Sequence, residues 1–152
     1  MLKHISPCIS SDLLKVLNDM GHGDILVLAD ANFPGDSLCR QGSAISLRAD
    51  GVGIPQLLDA VLDLIPLDRH CQYPVKLMQK MPCDAAIPCP IWDTYKHILQ
   101  QHDSRGEAVL ESLERFAFYD YVRRNAYAVV VTGERAVYAN VMLQKGVISP
   151  EK

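Results

Sequence analysis

The sequence predicts an α/β fold: a sandwich of helices around a mixed, mostly parallel sheet. Three observations carry this. Short apolar runs such as "DILVLAD" (24–30) and "AYAVVVTGE" (126–134) have the length and composition of buried strands. Segments with helical periodicity, such as "SDLLKVLNDM" (11–20) and "PQLLDAVLDLI" (55–65), alternate with them. The last two apolar runs lie close enough in sequence to pair antiparallel, which makes the sheet mixed. The 152 residues suit one domain, 1–152, with no repeat, linker or low-complexity segment.

The elements follow in order. Ser10 or Ser11 caps the first helix, Leu13, Leu14, Leu17 and Met20 form its apolar stripe, and Gly21 is its expected stop. "DILVLAD" is a strand apolar enough to be covered on both faces, and "NFPGDS" reads as a loop. "AISLRAD" (44–50) is a second strand. The helix at 55–65 starts on Pro55, tolerated in a first turn. "PVKLMQK" (74–80) is a third strand, and the proline-rich stretch 79–90 is a loop. "WDTYKHILQQH" (92–102) and "EAVLESLERFAFYDYVRRN" (107–125) read as helices interrupted around Gly106. "AYAVVVTGE" and "AVYANVMLQKG" (136–146) close the chain as two strands around a Thr–Gly turn.

Composition excludes several functions. The net charge is −3, without the clustered Lys and Arg that neutralising phosphates requires, so no nucleic-acid partner is expected. No apolar run approaches the roughly 20 residues that cross a bilayer, and the amino terminus lacks a signal-peptide core, so no membrane is expected. Five cysteines, an odd number without CxxC spacing, fit reduced thiols in a cytoplasmic protein and match no zinc pattern. "GHGD" precedes a strand rather than following one, and "DGVGIPQLL" lacks the third glycine of a dinucleotide fingerprint. No GxSxG motif is present.

The candidate chemistry lies in a few polar residues set among apolar ones. His22 stands between Gly21 and Gly23, where a ligand can approach the ring, with Asp24 or Asp30 placed to orient it. Histidine is the side chain whose ordinary pKa lies nearest neutrality. Asp30 ends a buried strand, where open α/β sheets bind ligands. Asp68 follows a helix and reads equally as a solvated loop acid. Arg115 and Tyr119 are four apart on a helix and share a face, while Phe116, Phe118 and Tyr121 read as core. A period of two places Tyr138 and Asn140 on one strand face, a phenol beside an amide, suited to sugar hydroxyls.

Several of these stretches, in order, resemble one family. "ISPCISSDLLKVLNDMGHGD" followed by "LADANFP", "RADGVGIPQLLDAVLDLIPLD", "ERFAFY" and "VVVTGERAVYANVMLQKGV" are similar to the L-fucose mutarotases and D-ribose pyranases, most of all the fucose branch. The resemblance runs nearly end to end and is weakest over 79–112. It implies a three-layer α/β/α sandwich, no cofactor, and interconversion of sugar anomers, while the cysteine spacing predicts no metal. It implies His22 as proton donor, with Asp30, Asp68, Arg115, Tyr119, Tyr138 and Asn140 in sugar binding or proton transfer. Tyr119, near Arg115, is the second proton relay on this reading. Where close relatives read Tyr-Gly-Asn, this chain has Tyr138-Ala139-Asn140, with the added methyl expected on the opposite face. Ring-like or stacked homo-oligomers, up to a decamer, are also implied. D-ribose pyranase-type isomerisation and a sugar-binding module without turnover are the alternatives.

Overall fold

A computed structural model describes residues 2–150. Its sheet has six strands: β1 Ile25–Ala29, β2 Ile45–Ala49, β3 Val75–Met78, β4 Leu110–Leu113, β5 Ala126–Thr132 and β6 Val141–Gln144. Their spatial order is β2-β5-β1-β6-β3-β4. Five helices flank it: α1 Ser11–Asp19, α2 Gly35–Gln41, α3 Ile54–Leu62, α4 Ile91–His102 and α5 Arg115–Asn125. All pairs are parallel except those of β6, which runs antiparallel to both β1 and β3.

Strand alternation divides β1 between two cores. Leu26 and Leu28 pack with α1, α3 and α4 residues such as Leu13, Leu57 and Tyr95. Ile25, Val27 and Ala29 pack with Leu38 of α2 and Phe118 and Val122 of α5. All five β1 residues are therefore buried, and the chain is the expected three-layer α/β/α sandwich with a mixed, mostly parallel sheet.

Four local expectations give way to tertiary effects. "NFPGDS" is not all loop, because α2 begins at Gly35. A Cβ there would lie 2.6 Å from Val131 Cγ2, so the glycine lets the helix start against β5. The segment 107–125 is not one helix. Its first part is a 3₁₀ turn, Gly106–Val109, followed by β4, which finds its backbone partners on β3 from Val75↔Leu110 to Met78↔Leu113. The Glu114 carboxylate then accepts from the Phe116 and Ala117 amides and starts α5. The last two strands are not neighbours, since β1 lies between them. Finally, residues 136–140 are a turn rather than the start of β6.

The first helix also ends differently from the expected glycine stop. Ser10 caps its start by accepting from the Leu13 amide at 3.1 Å, as foreseen. At the other end the chain leaves through extended Met20, and Gly21 has no positive φ. The positive φ falls instead at Gly23, +86°, where the chain turns into β1. Lys145, just after β6, takes over the helix end: its ammonium donates to the Leu17 and Met20 carbonyls at 2.7 and 2.6 Å.

Hydrogen bonds from a charged donor contribute about 1.5–3 kcal/mol each. Lys145→Ala is expected to lower the melting temperature by roughly 3–10 °C in a domain of this size, read by circular dichroism. An unchanged melting temperature would show that water serves the carbonyls equally well.

Candidate functional site

Two polar clusters form at opposite ends of the β1–β6 pair. The register explains why. Antiparallel β6 places Val141 beside Leu28 and Gln144 beside Ile25. Residues just before β6 thus meet the chain leaving β1, and residues just after it meet the chain entering β1.

At the carboxyl end of β1 lies a cavity of about 210 Å3, below the roughly 300–1,000 Å3 of drug-sized sites and suited to a small polar ligand. Asp30, Asn140, Tyr138, Arg115 and Tyr119 line it together with Phe33 and Asp84. Asp30 and Asn140 bond reciprocally: the Asp30 amide donates to Asn140 Oδ1 at 2.8 Å, and Asn140 Nδ2 donates to Asp30 Oδ2 at 2.9 Å. The Asn32 amide donates to Asp30 Oδ1 at 2.9 Å. Burial pushes the Asp30 carboxyl above its ordinary 3.8, against the opposing pull of the Asn32 amide and the Asn140 side chain.

Tyr119 reaches the cavity from α5, wedged edge-on against Phe33 with ring centres 5.5 Å apart. Arg115 Nε donates to its hydroxyl at 3.1 Å, so the shared helix face expected from spacing is real. Phe118 is fully buried, as expected, but Phe116 is 59% exposed at the start of α5 rather than in the core.

Tyr138 and Asn140 share the cavity, though not by strand alternation. Tyr138 has φ +59°, a left-handed turn conformation uncommon for a bulky residue. Such a backbone costs roughly 1–2 kcal/mol. Two bonds from α4 hold it: Trp92 Nε1 donates to the Tyr138 carbonyl at 2.9 Å, and the Tyr95 hydroxyl to the Ala139 carbonyl at 2.7 Å. Ala139 packs into the other core, so its methyl does point away from the cavity.

At the amino end of β1, His22 Nε2 lies 3.1 Å from Asp68 Oδ1. Neither Asp24 nor Asp30 orients the ring. Asp24 instead accepts from the Gly21 amide, and Asp30 is beyond the far end of β1. Five residues at about 3.3 Å each separate the two clusters by on the order of 16 Å. Asp68 is buried rather than a solvated loop acid. It accepts from the His70 amide at 2.8 Å and from Gln144 Nε2 at 3.0 Å. Burial alone would push the Asp68 carboxyl up, yet the His70 amide and the bond and charge of His22 together hold it below 3.8. The His22 ring stays half-exposed, with the His70 ring centre 5.6 Å away.

The chain therefore brings together Asp30, Arg115, Tyr119, Tyr138 and Asn140, and separately His22 with Asp68. Asp84, His70 and Gln144 were missed by sequence reasoning, and Asp84 and His70 carried no signal that could have found them. Gln144 alone was discoverable, as the last strand residue before "KG". Among the described residues no group of His, Cys, Asp and Glu forms a metal cluster, no helix is long and apolar enough to cross a membrane, and the five cysteines are free.

The two carboxyls titrate oppositely. Asp30 binds its proton more tightly folded than unfolded, so its stabilising share is full below pH 3.8 and is lost as pH rises through its higher folded value. Asp68 binds its proton less tightly folded, so its share is present above 3.8 and is lost as pH falls through its lower folded value. Carbon-13 NMR of the side-chain carboxyls is expected to show Asp30 titrating above 3.8 and Asp68 below. Coincident titrations would refute the two environments.

Known proteins match this architecture over nearly all its length. The fucose mutarotase of Bos taurus is 46% identical over 153 residues, covering 99% of this chain and 97% of its own. The crystal structure of FucU from Bifidobacterium longum superposes with a TM-score of 0.91 at 48% identity, covering 95% of this chain and 99% of that one. The crystal structure of the fucose mutarotase of Streptococcus pneumoniae in complex with L-fucose gives 0.89 at 44% identity, covering 97% and 100%. Residues 3–148 match one family throughout, and the chain belongs to it: the RbsD / FucU transport protein family.

Proposed function

We propose that this protein is an isomerase that interconverts the α and β anomers of L-fucopyranose. The observation that carries this is the near-complete structural likeness to a fucose mutarotase crystallised with L-fucose, joined to a small cavity lined by hydroxyl and carboxyl groups at the carboxyl end of β1. Mutarotation breaks the bond between the anomeric carbon and the ring oxygen, turns the aldehyde, and re-forms the bond on its other face. Opening needs a proton delivered to the ring oxygen and another removed from the anomeric hydroxyl. Closing reverses both transfers. Neither an electron carrier nor a nucleophile takes part.

On this reading Tyr119, with Arg115 donating to its hydroxyl, moves one proton, and Asp30, held by Asn140, accepts from sugar hydroxyls. His22, oriented by Asp68, is the second proton-transfer group. Within one chain it sits at the wrong end of the sheet. The arrangement becomes productive when the half-exposed His22 of one copy meets the cavity of another, which gives the homo-oligomer a catalytic purpose. Apolar Phe116 and Val137, 59% and 44% exposed beside the cavity, supply surface for such a contact. The substrate is a free sugar in the cytoplasm, where five unpaired thiols stay reduced.

Saturation-transfer NMR on the anomeric protons of L-fucose tests the activity. Wild type is expected to accelerate exchange. Binding without acceleration would replace the enzyme by a sugar-binding module. His22→Ala and Tyr119→Phe are each expected to lose about 10²–10⁴-fold, the usual contribution of a general acid–base group. Mixed assemblies of the two variants are expected to regain part of the exchange, because some cavities then pair an intact Tyr119 with an intact His22. Light scattering is expected to give a multiple of 16.9 kDa. A fully active monomer would sink the shared site.

A further inference from the structure

The two phenols in the cavity are held by groups of opposite character. Tyr119 Oη accepts from Arg115 Nε at 3.1 Å, so its own proton is left for the ligand. Tyr138 Oη donates to Asp84 Oδ2. It also accepts from the Met81 amide at 3.3 Å, leaving one lone pair for the ligand. Asp84 itself lines the cavity. It ends a 3₁₀ turn, Pro82–Asp84, in the segment between β3 and α4. That segment is fixed across its mouth by Lys80, whose ammonium donates to the Ala85 and Ile87 carbonyls at 2.8 and 2.9 Å. The left-handed backbone of Tyr138, clamped by Trp92, points its phenol at this turn, where Asp84 is its acceptor among the described residues.

We propose that Asp84 is a specificity-determining positioning residue: by accepting the Tyr138 O–H hydrogen bond it leaves that phenol only acceptor capacity toward a ligand, so the cavity reads one sugar hydroxyl as a donor. Tyr119 and Tyr138 then form a donor and an acceptor pole, and a monosaccharide lacking a hydroxyl at the acceptor pole leaves a buried lone pair unmatched. A site built to pair with a hydroxyl discriminates strongly against the analogue lacking it. The bond to Asp84 also pushes the Tyr138 hydroxyl above its ordinary pKa, which keeps the phenol protonated and the polarity fixed. This inference rests on the fucose reading for its substrate, but the polarity applies to any monosaccharide bound here.

The test is a double-mutant cycle with a sugar panel. D84A, Y138F and the double variant are compared with wild type by exchange kinetics and by calorimetric titration on L-fucose and its 2-, 3- and 4-deoxy analogues. D84A is expected to lower kcat/KM for L-fucose by about 10- to 100-fold, mainly through KM, and to reduce the penalty for one deoxy analogue. The double variant is expected to be no worse than the worse single variant, because Asp84 acts through Tyr138. D84N, which keeps an acceptor oxygen, is expected to restore most of the wild-type preference. Additive losses, an unchanged deoxy preference in D84A, or failure of D84N to rescue would each overturn the proposal. If D84A loses its thermal transition, D84S takes its place in the cycle. Calorimetry separates the two readings: sugar binding without exchange by wild type would end the mutarotase function, while the Asp84 cycle could still be read from affinities.

Discussion

The antiparallel pairing of β6 with β1 is the constraint on which everything functional in this chain depends. Four register pairs, Leu28↔Val141 to Ile25↔Gln144, fix which residues meet at each end. At one end the pairing continues into the reciprocal bonds between Asp30 and Asn140, residues far apart in sequence. At the other it continues into Gln144 and Lys145, which hold Asp68 and the end of α1. A slip of one residue would reverse every β6 side chain across the sheet and break both clusters at once. The same strand thus gives the fold its centre and the chemistry its two poles.

Those poles differ in how their charge is managed. Asp30 is nearly dry, and its hydrogen bonds offset only part of the burial penalty. Asp68 is just as hidden from solvent, yet His22, His70 and Gln144 surround it with donors. One carboxyl is therefore held as a reluctant anion facing a cavity, the other as a settled anion that orients an imidazole. Burial fraction alone does not distinguish them; the number and charge of donors does.

Much of this was legible in the sequence, and the losses share a cause. α1, α3, α4 and β1 were readable because their signals are local: apolar spacing in the helices, with Ser10 capping α1 and a proline in the first turn of α3, and an unbroken apolar run in β1. β4 was hidden because four residues at a sheet edge take their strand conformation from β3, not from their own composition. α2 was hidden because Pro34 and Gly35 signal a loop unless one knows that β5 presses on the glycine. Tyr138 and Asn140 were placed together correctly from strand alternation, although a turn brings them there. Asp30 was offered as a partner for His22, although the strand read between them already carries the two to opposite ends of the sheet. Asp84 was invisible because its partner is Tyr138, 54 residues away.

The left-handed backbone of Tyr138 has a consequence for redesign. A branched residue cannot adopt that conformation cheaply, and glycine or asparagine, which can, are too short to reach Asp84. Libraries randomised at this position would therefore return destabilised chains or chains with a hole in the wall. Diversity introduced at residue 84, which lines the same cavity in a segment, 81–87, without a positive φ, leaves the Tyr138 turn intact. A search for new sugar preferences is better directed at the short segment opposite the tyrosine than at the tyrosine itself.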